Sequence, residues 1–213
     1  MPLFEHLSET QAISLLGALE KKRFKRSELI VVAGKKSNSL HVILSGKVKV
    51  VVSNSSGKEL VLATLEAGDC IGEMSLLDNL PHSANVVAST TVDVLSLSRE
   101  GFNSCILHNT KLAVAVMRGL VGRLRKANQK IVSLALFSVY GRVARYLLEI
   151  AEETESGQLC VKKKISHTAI AREVGASREM VSKALKEFEA QTFITRLENG
   201  YLSITERRAT ERI

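Results

Sequence analysis

The stretch TKLAVAVMRGLVGRLRKANQKIVSLA, from Thr110 to Ala135, decides how this chain folds. It contains no proline and is rich in good helix formers, so a helix of about seven turns is expected. Apolar residues recur in alternating steps of three and four, which is the a/d repeat of a coiled-coil seam. The seam positions are Val114, Met117, Val121, Leu124, Asn128 and Ile131. A narrow apolar seam of this length predicts pairing with a second copy of the same helix.

One seam position is polar. Asn128 is of the residue type that fixes register and oligomeric state in coiled coils at some cost in stability. Leu112, Val116 and Leu120 widen the apolar stripe, which leaves open an ordinary amphipathic helix packed on a core. We interpret the stretch as a dimer helix that joins two unlike halves of the chain.

Composition excludes several classes of protein. With 213 residues, 45% of them hydrophobic, the chain can form one or two domains with a real core. No stretch approaches 18 uninterrupted apolar residues, and Met1–Thr10 lacks the features of a signal peptide, so a cytoplasmic protein with no membrane partner is expected. The three cysteines are widely spaced and form no CxxC pair, which predicts buried free thiols rather than disulfides or a metal cluster.

The net charge of +8 and the pI near 9.5 favour a polyanionic partner. The excess of basic residues lies mainly in residues 1–137, however, and not in the second half of the chain. Charge alone therefore does not locate a nucleic-acid site.

The apolar period changes to two between Glu28 and Leu97, which indicates short strands. These are Leu29–Val32, Leu40–Leu44, Val48–Val52, Leu60–Leu65 and Val92–Leu97. Regularly spaced glycines punctuate them, which predicts an antiparallel β-roll of about 80 residues. We expect hairpin turns at Ser45–Lys47 and Asn54–Lys58, and a short helix at Ser8–Glu20 before the roll.

Helices and a hairpin are predicted after the long helix. A helix is expected at Ser138–Ala151, followed by an acidic turn at Glu152–Gly157 and a small strand at Leu159–Val161. Ser166 is expected to cap a helix that Gly175 ends.

A second capped helix and a hairpin complete this half of the chain. Ser177 is expected to cap a helix that runs through Ala190. Phe193–Leu197 and Tyr201–Ile204 are predicted to pair through a type I′ turn at Asn199-Gly200. Two such helices and a hairpin are typical of a winged helix–turn–helix.

The N-terminal end of the second helix carries side chains suited to DNA. In a helix–turn–helix these side chains enter the major groove; here they are Ser177, Arg178, Glu179, Ser182 and Lys183. Arg178 can bind guanine bidentately and Glu179 can accept from cytosine N4, while Lys183 can reach another guanine. Ser166, His167 and Ser182 are placed for phosphates.

One stretch inside the predicted roll, Gly68–Ala84, breaks the strand pattern. Gly72 precedes a short helical turn whose backbone N–H groups can face an anion. Glu73 can accept from a sugar hydroxyl, and Ser83 can donate to a phosphate. A structural corner that binds no ligand remains the alternative.

The stretch Gly68–Ala84 resembles the phosphate-binding cassette of cyclic-nucleotide-binding domains. Together with Val139–Ala144 and Ile165–Ile204, it makes nearly the whole chain similar to the cyclic AMP receptor protein and fumarate–nitrate regulator (CRP/FNR) family of bacterial transcription regulators. The resemblance implies effector contacts at Gly72, Glu73, Met74, Ser75, His82, Ser83, Ala127 and Asn128. The chain departs from the cyclic-AMP-binding members at three of these positions: His82 stands for Arg, Ala127 for Thr and Asn128 for Ser.

The predicted fold is α+β. Residues 1–137 are expected to form an effector-sensing β-roll with its dimer helix at about 110–135, and residues 138–213 a winged helix–turn–helix. The resemblance implies a homodimeric regulator that binds palindromic double-stranded DNA, responds to a small anionic effector and contacts RNA polymerase. A cyclic nucleotide is one candidate effector, and no tightly bound cofactor is expected.

The sequence leaves two other functions to weigh. The first is an effector-independent regulator with an empty pocket that is always competent to bind DNA. The second is a cupin-like metalloenzyme, which needs convergent histidines. The five histidines are scattered with no His-x-His pair, so we predict neither a metal site nor an enzyme.

Overall fold

The computed structural model describes residues 19–108, 110–155, 157–197 and 200–205, with the backbone alone described at 105, 108, 111, 112 and 115. These residues form two compact units. The first contains Leu62–Ala127 and the described residues before Glu59, and the second contains Glu59–Val61 and the described residues from Asn128 onward. The functional boundary expected between residues 137 and 138 stays a prediction.

Two four-stranded sheets form the β-roll. In chain order the strands are β1 (Leu19–Phe24), β2 (Leu29–Val31), β3 (Ser39–Ser45), β4 (Lys47–Ser53), β5 (Glu59–Glu66), β6 (Cys70–Ile71), β7 (Asn85–Ala88) and β8 (Val92–Ser98). One sheet has the order β1-β8-β3-β6 and the other β2-β7-β4-β5. The predicted roll is confirmed.

Strand β3 is buried on both faces, because apolar residues pack against it from two sides. Ile43 belongs to a cluster with Val48 and Val94 between strands of the two sheets. Leu40 and Val42 belong to a second cluster, which includes side chains from three helices. These helices are α1 (Glu73–Asp78), which lies in the cassette, α2 (Arg99–His108) and α3 (Thr110–Leu136). The roll therefore has a core between strands and another beneath its helices.

Helix α3 has the extent of the predicted long helix, and its role in a dimer stays a prediction. Val116 is buried and Leu120 is partly buried, and both pack in the helix-covered core of the roll. Two of the three residues that widened the apolar stripe thus face the roll, and the seam positions are left on other faces of the helix. Leu112 lies among the residues whose side chains are not described.

One turn prediction and the end of one helix prediction were wrong. Ser45–Lys47 is not a hairpin, because β3 and β4 lie in different sheets and Gly46 carries the chain between them with φ at 90°. A glycine turn signals a change of direction without specifying whether the flanking strands pair. Most of the helix expected at Ser8–Glu20 lies outside the described residues, but Leu19 and Glu20 are in β1, where Leu19 pairs with Leu97.

Other turns and strands were predicted with mixed success. The hairpin at Asn54–Lys58 is confirmed, since Asn54 Oδ1 accepts from the amides of Ser56 at 3.1 Å and Lys58 at 2.9 Å. Strands β6 and β7 were missed because each is too short to show a period. The acidic turn at Glu152–Gly157 begins with a short strand that pairs with Leu159 and Cys160.

The second unit has the predicted winged helix–turn–helix. Its helices are α4 (Val139–Glu149), α5 (His167–Val174) and α6 (Arg178–Ala190). Its strands are β9 (Glu152–Glu153), β10 (Leu159–Val161), β11 (Ile194–Arg196) and β12 (Leu202–Ile204), and they form one sheet in the order β11-β12-β10-β9. Asn199, half of the predicted type I′ turn, lies outside the described residues. No helix in the described ranges is long and apolar enough to cross a membrane.

Side-chain caps begin the three helices of this unit. Ser138 accepts from the amide of Gly141 at 3.2 Å, and Ser166 accepts from Ala169 at 3.1 Å. Ser177 accepts from the amide of Met180 at 3.2 Å. Each cap satisfies an amide that lacks a partner within its own helix.

Candidate effector and DNA-binding sites

Glycine is required at position 72. Gly72 has φ at 89°, in the left-handed region, and it directly precedes α1. A Cβ atom at this position would lie 2.9 Å from the Ser39 carbonyl oxygen and 3.8 Å from Cε1 of His82. The cassette backbone therefore approaches β3 closely, with the imidazole of His82 beside it.

The carboxylate of Glu73 is buried and paired. Glu73 is 4% exposed, and its Oε1 accepts from Nη1 of Arg123 at 2.5 Å. Arg123 also donates through Nη2 to the carbonyl of Cys70. Burial raises the pKa of Glu73, while the Arg123 guanidinium acts in the opposite direction. The pair fixes the start of α1 to helix α3.

Two buried oxygens of the cassette lack a protein partner. Among the described residues, neither Oε2 of Glu73 nor Oγ of Ser75 has a hydrogen-bond partner, and both residues are buried. A buried polar atom without a partner costs free energy, so such atoms are candidates for contact with a ligand or water. Glu73 Oε2 can only accept while it is ionised, which suits a ligand hydroxyl.

Arg99 closes the other end of α1. It donates to the carbonyl of Leu76 at 2.8 Å and to that of Ser75 at 3.1 Å. These carbonyls belong to the last turn of a helix, where partners within the helix are absent. Arg99 could not be predicted from the sequence, because no local spacing connects it with a helix more than 20 residues earlier.

His82 occupies the position where the resemblance expects an arginine. Its Nε2 lies 2.9 Å from Oγ of Ser37. Its backbone is held on both sides, since its amide donates to Lys35 at 3.0 Å and its carbonyl accepts from Gly34 at 2.9 Å. Burial lowers the pKa of His82, so the neutral imidazole is favoured.

The remaining effector candidates are exposed. Met74 is 53% exposed on α1, and Ser83 is exposed directly after His82. Ala127 and Asn128 are exposed on α3. The structure thus brings Gly72, Glu73, Ser75 and His82 into one cassette, and all eight positions stay predictions as effector contacts.

A second imidazole, which the sequence analysis did not single out, lies next to the cassette. His41 is 6% exposed and pairs across the sheet with Ile71, the residue before Gly72. Burial, with smaller effects from Lys22 and His82, lowers its pKa to about 4, and Glu20 opposes the shift. Its position within a strand, among apolar residues, was the signal that it is buried.

The seam positions of α3 are exposed in the single chain. Val114 is 36% exposed, Leu124 61% and Ile131 62%, and Met117, Val121 and Asn128 are exposed as well. Large apolar side chains in one row along a helix are an unusual surface for a monomer.

The predicted base-reading side chains share one surface. Arg178, Glu179 and Lys183 are exposed near the start of α6, and Ser182 is half-buried. These four residues and Lys186 line one concave surface. Hydrogen bonds from its own amide and from Ser177 lower the pKa of Glu179, which keeps this carboxylate ionised as an acceptor.

Lys186 was missed, although it lies four residues after Ser182 and therefore on the same helix face. Ser166 is exposed at the start of α5 and His167 is partly buried beside it. Since the hydroxyl of Ser166 caps its own helix, its predicted phosphate contact has to share that oxygen.

No cluster of three or more His, Cys, Asp or Glu side chains able to hold a metal lies within the described ranges. Cys70 and Cys160 are free and buried. Burial raises the pKa of the Cys70 thiol to about 12, so this thiol stays protonated.

Comparison with known proteins agrees with both halves of this architecture. Residues 21–109 match the cyclic nucleotide-binding domain family, and residues 141–213 match the Crp-like helix-turn-helix domain family. The CRP-like cAMP-activated global transcriptional regulator of Mycobacterium tuberculosis is 31% identical over 207 residues, covering 96% of this chain and 92% of that protein. The cAMP-activated global transcriptional regulator Vfr of Pseudomonas aeruginosa is 29% identical, with 91% of each chain covered.

Solved structures share the fold. The c-di-GMP-responsive regulator CLP of Xanthomonas campestris superposes with a TM-score of 0.78 at 22% identity, covering 92% of this chain and 98% of its own. A crp/fnr-family regulator from Eubacterium rectale gives 0.80 at 21% identity, covering 98% and 96%.

These domains define a bacterial transcription regulator with a cyclic nucleotide-binding domain and a DNA-binding helix–turn–helix. The chain belongs to the CRP/FNR family, whose members regulate transcription.

Proposed function

We propose that this chain acts as a homodimer that binds a palindromic DNA site and is controlled by a small anionic effector in the β-roll. In this proposal residues 138–213 read DNA, and residues 1–137 sense the effector and form the dimer. The observation that carries the proposal is the concave surface at the start of α6, where Arg178, Glu179 and Lys183 are exposed together. Donors and an acceptor on one helix end suit the edges of base pairs in the major groove.

The exposed seam supports the homodimer. Its apolar positions are exposed, whereas Val116 and Leu120 of the same helix are packed. A second copy of α3 would remove the seam from water at the spacing that coiled coils require. Two-fold symmetry of the protein then demands two-fold symmetry of the DNA site.

The cassette supports an effector pocket. Glu73 is fixed by Arg123 through one oxygen and keeps the other for a ligand hydroxyl. His82, Ser83 and the backbone near Gly72 are the groups that would hold an anion. A cyclic nucleotide is the leading candidate, since two relatives of similar length are named as cAMP-activated regulators. No tightly bound cofactor belongs to the proposal.

A second candidate function is an effector-independent regulator with an empty pocket. His82 favours it, because a neutral imidazole hydrogen-bonded to Ser37 is a poor substitute for an arginine at a phosphate. RNA polymerase is the proposed protein partner, on the basis of the family alone.

Selection of DNA from a random duplex library tests the proposal. The full chain should enrich a palindrome with half-sites about 10 bp apart, centre to centre, each similar to the family-like sequence TGTGA. Sedimentation should show a dimer. Enrichment of an asymmetric sequence, or of none, would contradict the proposed mode of binding.

A second experiment separates the two candidate functions. Mass spectrometry of the purified protein identifies any bound small molecule, and the same protein is then unfolded, dialysed and refolded. Loss of DNA affinity after this treatment supports effector control, whereas unchanged affinity supports the effector-independent regulator.

A further inference from the structure

Helix α5 ends in a turn at which three consecutive carbonyls accept from side chains of other helices. Gly175 takes the left-handed conformation with φ at 66°, and the amide of Ala176 donates back to Ala171 at 3.1 Å. This arrangement is typical of helix C-termini, where the last carbonyls must find other donors. Here they are the carbonyls of Glu173, Val174 and Gly175.

Cations from two other helices supply those donors. Arg142 on α4 donates through Nη1 to Val174 at 2.6 Å and to Gly175 at 3.3 Å. Lys130 on α3 donates through Nζ to the carbonyl of Glu173. A positive charge at a helix C-terminus is also favoured by the helix dipole. The end of α5 is therefore held by charge-assisted bonds from α3 and α4.

The surroundings of Lys130 favour a strong bond. Its side chain is partly buried, and burial lowers the pKa of its ammonium, while Glu173 and Glu149 oppose that shift and Arg142 adds to it. A donor with restricted access to water forms a stronger hydrogen bond than a fully hydrated one.

The same end of α3 limits the space at the turn. A Cβ atom on Gly175 would lie 2.9 Å from Cδ2 of Leu134, one helical turn after Lys130. The turn is followed at once by Ala176, which is buried, and by Ser177, which caps α6. The position of the turn therefore sets where α6 begins, and with it the positions of Arg178 and Glu179.

We infer that Lys130 is a positioning residue for DNA recognition, which ties the helix–turn–helix turn to the helix that carries the dimer seam. Helix α3 is continuous from Thr110 to Leu136, so a shift of its last turns acts on the Glu173 carbonyl through this bond. The inference rests on the proposed DNA-binding function. It assigns a role to Lys130, which is not among the residues proposed to contact bases.

Three variants of the full chain test the inference. Lys130→Met keeps the length of the side chain and removes the donor, and Lys130→Arg restores a donor. Lys126→Met is the matched control, because Lys126 lies one turn earlier on α3 and is exposed. Each variant is measured for affinity to the duplex selected by the wild type, and for amide hydrogen exchange across residues 174–180.

Lys130→Met is expected to lose about 5- to 20-fold in DNA affinity, within the range of coupling between sites. It should also exchange faster across residues 174–180, while Lys130→Arg and Lys126→Met stay within about twofold of the wild type. Equal affinities and exchange rates for Lys130→Met and Lys126→Met would overturn the inference, as would failure of Lys130→Arg to restore them.

The exchange measurement keeps the inference separate from the proposed function. If the wild type selects no DNA, the proposed function fails, and the exchange comparison alone decides whether Lys130 holds the turn. If Lys130→Met does not fold, Lys130→Arg decides instead: wild-type exchange supports the inference and faster exchange overturns it.

Discussion

The guanidinium of Arg123 on α3 is bonded to the buried carboxylate of Glu73 in the cassette, with Nη1 and Oε1 2.5 Å apart. The same guanidinium donates to the carbonyl of Cys70. A single side chain thus links the long helix to the segment proposed to bind the effector. Because these bonds join the two segments, a displacement of one segment would strain its contact with the other.

Removing Arg123 should destabilise the protein. Arg123→Leu leaves the Glu73 carboxylate buried without its partner, and we expect the free energy of unfolding at pH 7 to fall by about 3 kcal/mol. Denaturant unfolding measures this. Arg125→Leu is the control, since Arg125 is exposed two residues away. Adding Glu73→Gln to Arg123→Leu should recover part of the loss, and strictly additive effects of the two substitutions would contradict the pairing.

Replacing the polar seam position should strengthen the dimer. Asn128→Leu removes the cost of burying an amide in a helix pair, so the melting temperature should rise while register becomes less defined. Gln129→Leu, also exposed but off the seam, controls for added hydrophobicity. A strongly destabilised Asn128→Leu with unchanged DNA binding would show that the seam is wrongly assigned.

Arg178 is predicted to read a base. Arg178→Ala should cost about 1–3 kcal/mol per half-site and relax the preference at one guanine. Binding to the selected duplex, to single-base variants of it and to random duplex DNA measures both effects. Equal loss on selected and random DNA would identify Arg178 as a phosphate contact instead.

His82 should make any binding of a phosphate dependent on pH. Its pKa is lowered by burial, so the imidazole is mostly neutral at pH 7 and lacks the charge that pairs with an anion. We expect cyclic AMP to bind weakly or not at all near pH 8 and more tightly near pH 6. Calorimetry at both pH values measures the change.

Two variants of His82 complete that experiment. His82→Arg should gain about 10- to 100-fold in affinity and lose the pH dependence, on the scale of hydrogen bonds to charged groups. His82→Gln should bind weakly at both values. Tight binding by the wild type that does not change with pH would mean that the backbone around Gly72 and Ser83 holds the phosphate.

The buried imidazole of His41 should make the protein sensitive to acid. Its pKa is about 4 in the folded chain against an ordinary value of 6.5. As pH falls from 6.5 to 4, the unfolded chain takes up a proton that the folded chain refuses, so folding is progressively disfavoured. The contribution is about 3 kcal/mol, because one pKa unit corresponds to about 1.4 kcal/mol.

His41→Phe should remove this part of the acid dependence. The difference in unfolding free energy between wild type and variant is measured at pH 7, 5.5 and 4, which cancels the titration of the carboxylates. A difference that stays constant with pH would show that His41 has the same pKa in the folded and unfolded chains.

Local interactions are what the sequence by itself determined. Ser166 and Ser177 were predicted as caps because a cap bonds to an amide three residues along the chain, and Gly175 as a helix end because few other residues adopt its conformation. The extent of α3 could also be predicted, because residues that share a face of a helix lie only three or four apart in the sequence.

The tertiary structure decided which elements meet. Strands β3 and β4 follow each other across one glycine and yet belong to different sheets. Strand β1 pairs with β8, although Leu19 and Glu20 were predicted to end a helix. Whether the stripe of α3 faced a core or a partner depended on Val116 and Leu120 reaching the roll. Glu73 and Arg123 are 50 residues apart, and Lys130 and Glu173 are 43 apart. No period or spacing encodes such pairs, because they form only when the burial of many other side chains has brought the two segments together.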